Sequence, residues 1–198
     1  MKTPIILENR EILEILKRHS VPLQKWGTGK HRSLEDFVRY ATEDKFFLRD
    51  GENNDLVVEV HAAIVIVIHK FKREWLELYE DRQTSSNGTV LRRRNFNGIA
   101  ETLKRDEAPR EGAMRCLAEE LNFCDPTLYH LSECLGVERR DPVPSEKWPG
   151  IKAQYNRYLF ECTIERQLFH KYGYRELEGH GREIFFKWRP RRQLLLQF

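Results

Sequence analysis

One stretch decides the fold of this chain: Gly98-Ile-Ala-Glu101-Thr-Leu-Lys-Arg-Asp-Glu107-Ala-Pro109-Arg-Glu-Gly-Ala-Met-Arg115-Cys116-Leu-Ala-Glu119-Glu120-Leu-Asn122-Phe123. It predicts a helix from about Pro109 to Leu121, because proline suits the first helical position, where its missing N–H is not needed. Asp106 and Glu107 place negative charge at the start, where the helix dipole favours it. Asn122 can end the helix in a left-handed conformation.

The predicted helix has two distinct faces. At about 100° per residue, an apolar face holds Met114, Leu117 and Leu121. The second, polar face contains Arg115, Cys116, Glu119 and Glu120. Adjacent carboxylates repel each other unless a cation lies between them, and hard divalent cations such as Mg²⁺ prefer oxygen ligands.

The stretch resembles the Nudix box. That pattern is Gly, five residues, Glu, seven residues, Arg-Glu, an aliphatic residue, any residue, Glu-Glu, any residue, Gly and an aliphatic residue. When the pattern is anchored on Glu107, the seven-residue gap ends at Arg115. The later box positions then match Leu117, Glu119, Glu120 and Phe123. The resemblance organises roughly residues 57–190.

Three positions depart from the box. Glu101 stands where the first glycine belongs, although Gly98 lies three residues earlier. Asn122 replaces the second glycine, a mild change because asparagine tolerates the left-handed conformation. Cys116 replaces the first Glu of the Arg-Glu pair, which in the family is usually a metal ligand and sometimes the base. A thiol is a poor ligand for magnesium.

The resemblance implies an α/β fold: a Nudix-type α/β/α sandwich around a mixed β-sheet, with an N-terminal helical extension. We expect residues 1–55 to form that extension, packed on the core, and residues 56–198 to form the Nudix-like domain. The extension could instead form a homodimer contact or shape the substrate pocket. The simpler alternative for the stretch itself is an ordinary amphipathic helix with a charged outer face.

The resemblance also implies a metal site and roles for its residues. It implies Mg²⁺, with Mn²⁺ as the alternative, held by Glu119 and Glu120, while Arg115 orients a glutamate. Many Nudix proteins carry a distal acid shortly before a strand containing tryptophan. Glu183 has that placement, and Glu176 and Glu178 are alternatives. The predicted catalytic residues are therefore Glu120, Arg115 and Glu183.

Two further features indicate ligand binding. Arg92-Arg93-Arg94 lies on a predicted strand, and guanidinium groups suit phosphate because they donate in a planar fork. Three consecutive residues cannot face one side of a strand, so we select Arg92 and Arg94. The alternative is a solvated basic edge. Tyr155, in a strand entered through Trp148-Pro149-Gly150, could stack a base, or it could belong to the core.

The composition of the chain indicates which classes of protein it can belong to. The chain has 198 residues, of which 33% are charged and 40% hydrophobic, which favours a globular domain over disorder. A net charge of +3 does not demand a nucleic-acid partner. The longest apolar run, Ala62 to Ile68, is too short to span a membrane. The four cysteines form no Cys-x-x-Cys pair, so neither zinc nor a disulfide-exchange motif is indicated, and a reducing cytoplasm is expected.

The remaining elements follow from hydrophobic periodicity. Helices are predicted at Ile5 to His19 and after Ser33, which serves as an N-cap. Predicted strands lie at 46–48, 56–70, 75–80, 89–94, 129–137, 151–164 and 184–188. His61 falls within the second of these strands, where a lone histidine is more often structural than a ligand.

Two functions from different classes are compatible with these features. The first is Mg²⁺-dependent hydrolysis of the pyrophosphate bond in a nucleoside diphosphate linked to another group. The second is a catalytically impaired Nudix-fold module that binds a nucleotide and regulates a partner, which Cys116 and Glu101 favour. A nucleic-acid binder using the basic clusters at 92–94 and 189–192 is a weaker alternative, because those clusters are short and balanced by acid.

Overall fold

The computed structural model describes residues 9–43, 45–91, 98–178 and 181–191. Its described helices are α1 (Asn9–Arg18), α2 (Leu34–Thr42) and α3 (Pro109–Leu121). Its described strands are β1 (Phe47–Asp50), β2 (Leu56–Phe71), β3 (Glu74–Thr84), β4 (Val90–Leu91), β5 (Ile99–Thr102), β6 (Tyr129–Leu131), β7 (Gly136–Arg139), β8 (Val143–Pro144), β9 (Lys152–Ile164), β10 (Tyr174–Glu178) and β11 (Arg182–Pro190). The predicted α/β class is confirmed, with a mixed sheet and helices.

The chain divides into two compact units. The smaller unit comprises Met1–His61, Thr102–Glu107 and Arg139–Asn156. The larger unit comprises Ala62–Glu101, Ala108–Glu138 and Arg157–Phe198. The predicted boundary near residue 55, with an extension before it and a domain after it, stays a prediction.

The smaller unit is built around aromatic side chains. Trp26, Phe37, Phe46 and Trp148 are buried, and Phe37 and Trp148 meet edge to face at 5.2 Å. Apolar residues of α1, α2 and β2 complete this core, so both helices bury their apolar stripes there. Ser33 caps α2 as predicted, because its hydroxyl accepts a hydrogen bond from the Asp36 N–H.

The strands of the smaller unit have an apolar face and a polar face, since successive side chains alternate. Leu48, Val58 and Val60 belong to the aromatic core. On the polar face, Arg49 bonds Glu59 at 3.2 Å and Gln154 at 2.5 Å. Glu59 in turn contacts His61 and accepts a hydrogen bond from Asn156. His61 thus belongs to a hydrogen-bonded network on the sheet.

The larger unit is built on a sheet. Its strand order is β10-β11-β3-β2-β9-β6, and β11 pairs antiparallel with both β10 and β3. Val65, Val67, Leu78 and Phe160 are almost completely buried, which accounts for the Val- and Ile-rich sequence of β2. The prediction of one continuous strand at 129–137 is wrong, because the structure has two separate short strands there, β6 and β7. Both of them pair with β9.

Gly98 begins the stretch that contains the box. Its φ of +93° is a conformation that favours glycine. An added Cβ would lie 2.3 Å from the Val65 carbonyl oxygen, and the Gly98 N–H donates to the Leu78 carbonyl. The start of the stretch is therefore fixed against two core strands.

No described helix is both long and apolar enough to cross a membrane.

Asp81 makes the stability of the larger unit depend on pH. Burial alone would raise the pKa of this carboxyl, but hydrogen bonds from Lys187 and Arg82 outweigh it and lower the pKa below 3.8. A lowered pKa stabilises the fold above the unfolded pKa, and that contribution is lost as the pH falls through the folded value. We expect Asp81→Asn to cost about 1 kcal/mol at neutral pH. When the pH falls below 3.8, the variant should lose less stability than the wild type loses, as measured by urea unfolding at a series of pH values. A difference in stability between the two proteins that is the same at every pH would contradict this assignment.

Candidate active site

The helix α3 begins and ends as predicted, at Pro109 and Leu121. Glu111 accepts a hydrogen bond from the Ala108 N–H at the start of the helix. Asn122 ends the helix with a φ of 59° in the left-handed conformation. These local features fix where the helix begins and ends.

Arg115 is the centre of the charged cluster on α3. Its Nη1 lies 2.9 Å from Glu119 Oε2, one turn along the helix. The same nitrogen lies 3.5 Å from Glu101 Oε1, on β5. The Arg115 side chain is only 15% exposed, so its charge is partly withdrawn from water and its orientation is fixed. All three residues belong to the larger unit.

Cys116 is completely buried, which corrects the prediction that it lies on the polar face of α3. Met114, predicted on the apolar face, is 37% exposed instead. The buried face of α3 is made of Gly112, Ala113, Cys116, Leu117 and Leu121. Small residues at 112 and 113 place this face against its neighbours, and Met114 lies outside it.

The Cys116 thiol is neutral at physiological pH. Burial raises its pKa well above the ordinary value of 9.0, and the charges of Glu120, Glu101 and Glu119 raise it further, against the opposing effect of Arg115. A neutral thiol is neither a nucleophile nor a ligand for a hard cation. Cys116 therefore supplies none of the chemistry of the glutamate that the box pattern has at this position.

Glu101 is more than a departure from the box, because it takes part in the charged cluster. Glu101, Glu119 and Glu120 all raise the pKa of Cys116, so their charges act on one small region. Together with Arg115 these three carboxylates have a formal charge of −2. The sequence placed Glu101 at a glycine position and gave no sign that β5 would direct its side chain to Arg115.

The carboxylates of this cluster suit a divalent cation that also binds the phosphate oxygens of a ligand. Among the described residues, no three side chains of His, Cys, Asp or Glu form a ready-made metal site. Mg²⁺, however, commonly uses one or two carboxylates and completes its coordination with phosphate oxygens and water. The hard oxygens of Glu119 and Glu120 fit that mode of binding.

The other predicted site residues lie in several places. Glu183, on β11, forms an ion pair with Arg175 on β10. Glu176, one alternative to it, is half-buried on β10, while the side chain of Glu178 lies outside the described residues. Arg92 and Arg94 also lie outside them. Tyr155 lines a small cavity in the smaller unit.

The smaller unit also has a larger, polar pocket of about 580 Å³. Its cations are Arg49, Arg139 and Lys152, and its carboxylates are Glu52, Asp55 and Asp141. Lys152 is paired with Asp55 at 2.7 Å, and Arg49 with Glu59. The volume suits a small molecule, but equal numbers of both charges give no preference for an anionic ligand.

No protein-family model matches the chain, and no curated protein sequence matches it. Among solved structures it is similar to an Ap4A hydrolase from C. elegans, with 14% identity, 66% of this chain and 80% of that chain covered, and a TM-score of 0.39. It is also similar to the Nudix domain of Shewanella oneidensis NrtR complexed with ADP ribose, with 14% identity, coverage of 67% and 73%, and a TM-score of 0.39. A mutT/nudix family protein from Listeria innocua matches with 13% identity, coverage of 64% and 77%, and a TM-score of 0.36. The second and third of these structures are described as Nudix proteins, the family that the stretch 98–123 resembles.

Proposed function

We propose that this protein hydrolyses the pyrophosphate bond of a nucleoside diphosphate linked to another group, and that it requires Mg²⁺. The observation that carries the proposal is the cluster in which Arg115 contacts Glu101 and Glu119, with Glu120 beside them. Glu119 and Glu120 would hold Mg²⁺, with Mn²⁺ as the alternative. When bound, the metal would neutralise charge on the phosphate oxygens and lower the pKa of water.

The protein's own residues have separate roles in this proposal. Arg115 keeps Glu119 oriented and offsets part of its charge. Glu101 contributes the negative charge that Cys116 lacks. Glu183 is the proposed distal base, and it would have to leave Arg175 to accept a proton. Arg92, Arg94 and Tyr155 are proposed to bind the substrate.

The second candidate function is a nucleotide-binding module that has lost turnover. It is favoured by one observation: the box position that usually carries a glutamate holds a buried, neutral thiol. Such a protein would bind the same ligand and metal but would not cleave the pyrophosphate bond. The two candidates therefore differ in turnover and agree in binding.

A cytoplasmic location is also part of this proposal. All four cysteines are free, and two of them, Cys124 and Cys134, are exposed. Exposed free thiols persist in a reducing compartment, whereas secreted proteins commonly pair them.

A combined titration of magnesium and nucleotide tests the proposal. Because the proposed site has only Glu119 and Glu120 as metal ligands, we expect Mg²⁺ to bind about tenfold more tightly when a non-hydrolysable nucleoside diphosphate analogue is present. Calorimetry measures this binding, and release of nucleoside monophosphate from nucleotide sugars, ADP-ribose and Ap4A measures turnover. Binding with turnover supports hydrolysis, and binding without turnover supports the second candidate. Absence of both would overturn the proposal.

A further inference from the structure

The polar pocket of the smaller unit is lined by charged side chains, and some of them are already engaged with each other or with the sheet. Lys152 forms an ion pair with Asp55 at 2.7 Å, and both line the pocket. Arg49 donates hydrogen bonds to Glu59 at 3.2 Å and to Gln154 at 2.5 Å. These side chains form fixed walls, because a ligand that bound them would first have to break their present contacts.

Three other charged side chains line the same pocket and are available to a ligand. They are Arg139, Asp141 and Glu52. In the part of the chain that the structure describes, none of these three side chains forms a hydrogen bond or an ion pair. The available charges are therefore one guanidinium group and two carboxylates. A ligand that complements them carries one anionic group and two cationic groups.

Arg139 and Asp141 come from one short segment, and the protein holds the backbone between them. Gln154, which is only 3% exposed, donates a hydrogen bond at 2.9 Å to the carbonyl of Arg140. A guanidinium group can donate two parallel hydrogen bonds to a carboxylate, and the Asp141 carboxylate can accept from an ammonium group. In an α-amino acid these two groups are attached to the same carbon atom, so they suit two side chains of one segment.

Glu52 belongs to a different segment of the pocket wall, a tight loop that the protein holds closed. The Gly51 N–H donates to the Asp55 carbonyl at 2.8 Å, and the Asp55 N–H donates to the Glu52 carbonyl at 3.0 Å. The ring of the buried His19 anchors the same loop, since its Nδ1 lies 2.8 Å from the Asn54 carbonyl oxygen. The backbone at Glu52 is therefore in place before a ligand binds, which reduces the cost of binding.

The size and the apolar lining of the pocket also fit an amino acid with a long side chain. Its volume of about 580 Å³ lies within the range of roughly 300–1,000 Å³ that is usual for small-molecule sites. Val57 and Pro142 are apolar residues of its lining, and methylene groups can pack against them. A chain of methylene groups would connect the α-carbon of such a ligand to its second cation.

We propose that the polar pocket binds a basic α-amino acid. Arg139 binds the α-carboxylate, Asp141 binds the α-ammonium group, and Glu52 binds the cation at the end of the ligand's side chain. That cation is either an ammonium group, as in lysine, or a guanidinium group, as in arginine. The site shares no residue with the proposed hydrolysis and needs no metal.

Calorimetry on the full chain in metal-free buffer tests the proposal with four probes: L-lysine, L-arginine, L-norleucine and cadaverine. Norleucine lacks the side-chain cation of lysine, and cadaverine lacks its carboxylate. We expect lysine or arginine to bind at least about tenfold more tightly than either of these two, and the tighter of the pair identifies the cation. Binding of neither lysine nor arginine, or equal binding of norleucine or cadaverine, would overturn the proposal. Because Mg²⁺ and nucleotide are absent, failure here is independent of any failure of the hydrolase proposal.

Variants of the pocket assign each part of the ligand. Glu52→Gln should weaken lysine binding about tenfold and leave norleucine binding unchanged, because norleucine has no side-chain cation. Arg139→Gln should weaken both about tenfold and leave cadaverine binding unchanged, because cadaverine has no carboxylate. The matched control is Arg10→Gln, which should bind lysine as the wild type does, because the Arg10 side chain is 88% exposed and does not line the pocket. Wild-type lysine binding by both Glu52→Gln and Arg139→Gln would place the ligand elsewhere and overturn the assignment.

Discussion

Glu120→Gln is expected to reduce the proposed pyrophosphate hydrolysis by more than about a hundredfold while leaving the fold intact. Glutamine has almost the same shape as glutamate, so the variant removes a charge and little else. Glu120 is half-buried on α3, and its charge acts on the same region as the charges of Glu101 and Glu119. Without Glu120, one of the two proposed metal ligands is lost, and calorimetry should show weaker Mg²⁺ binding in the presence of nucleotide.

The matched control for this variant is Glu133→Gln. The Glu133 side chain is 95% exposed and lies 3.8 Å from Arg110, so its charge contributes little to structure. Turnover and metal binding in this control should equal those of the wild type. If Glu120→Gln also kept its turnover, in buffer stripped of metal and then supplied with magnesium, the assignment of the site to α3 would be wrong.

The helix α3 could be predicted to the residue because its signals are local. Proline at the first position and an asparagine that accepts the left-handed conformation act within a few residues of the helix ends. The same holds for Ser33 at the start of α2. Such features need no knowledge of the rest of the chain.

The rotation of α3 could not be predicted in the same way. Periodicity assigned Met114 to the apolar face and Cys116 to the polar face, yet the thiol is buried and Met114 is partly exposed. Which face is buried depends on the partners that pack against the helix. Gly112 and Ala113 allow close packing, but hydrophobicity alone gives them little weight. The error therefore arose where tertiary contacts decide between similar faces.

Glu101 shows the same limit for the candidate site. In the sequence it is a substitution at a glycine position, fourteen residues before Arg115. In the structure β5 brings its carboxylate to 3.5 Å from Arg115 Nη1. Likewise, the break between β6 and β7 follows from how both strands pair with β9, which an alternating sequence does not reveal. Contacts between distant segments account for both differences.

Cys116→Glu has the second large expected effect, and it separates the two candidate functions. In metal-free buffer we expect this variant to lower the free energy of unfolding by about 3 kcal/mol. The reason is that a larger, ionisable side chain enters a completely buried position that already experiences the charges of Glu101, Glu119 and Glu120. Mg²⁺ with a nucleotide analogue should restore much of this loss, because the cation offsets the added negative charge.

The effect of Cys116→Glu on turnover then decides between hydrolase and binding module. If the missing carboxylate alone limits the chemistry, turnover should rise about tenfold or more in saturating Mg²⁺. Cys116→Gln is the matched control, since it has a similar volume without the charge and should recover less stability with Mg²⁺ and the nucleotide analogue than Cys116→Glu does. Recovery of stability without a rise in turnover would favour the binding module. If Mg²⁺ with the nucleotide analogue restores the stability of neither variant, the carboxylates around Cys116 do not form a metal site. The hydrolase proposal would then be wrong.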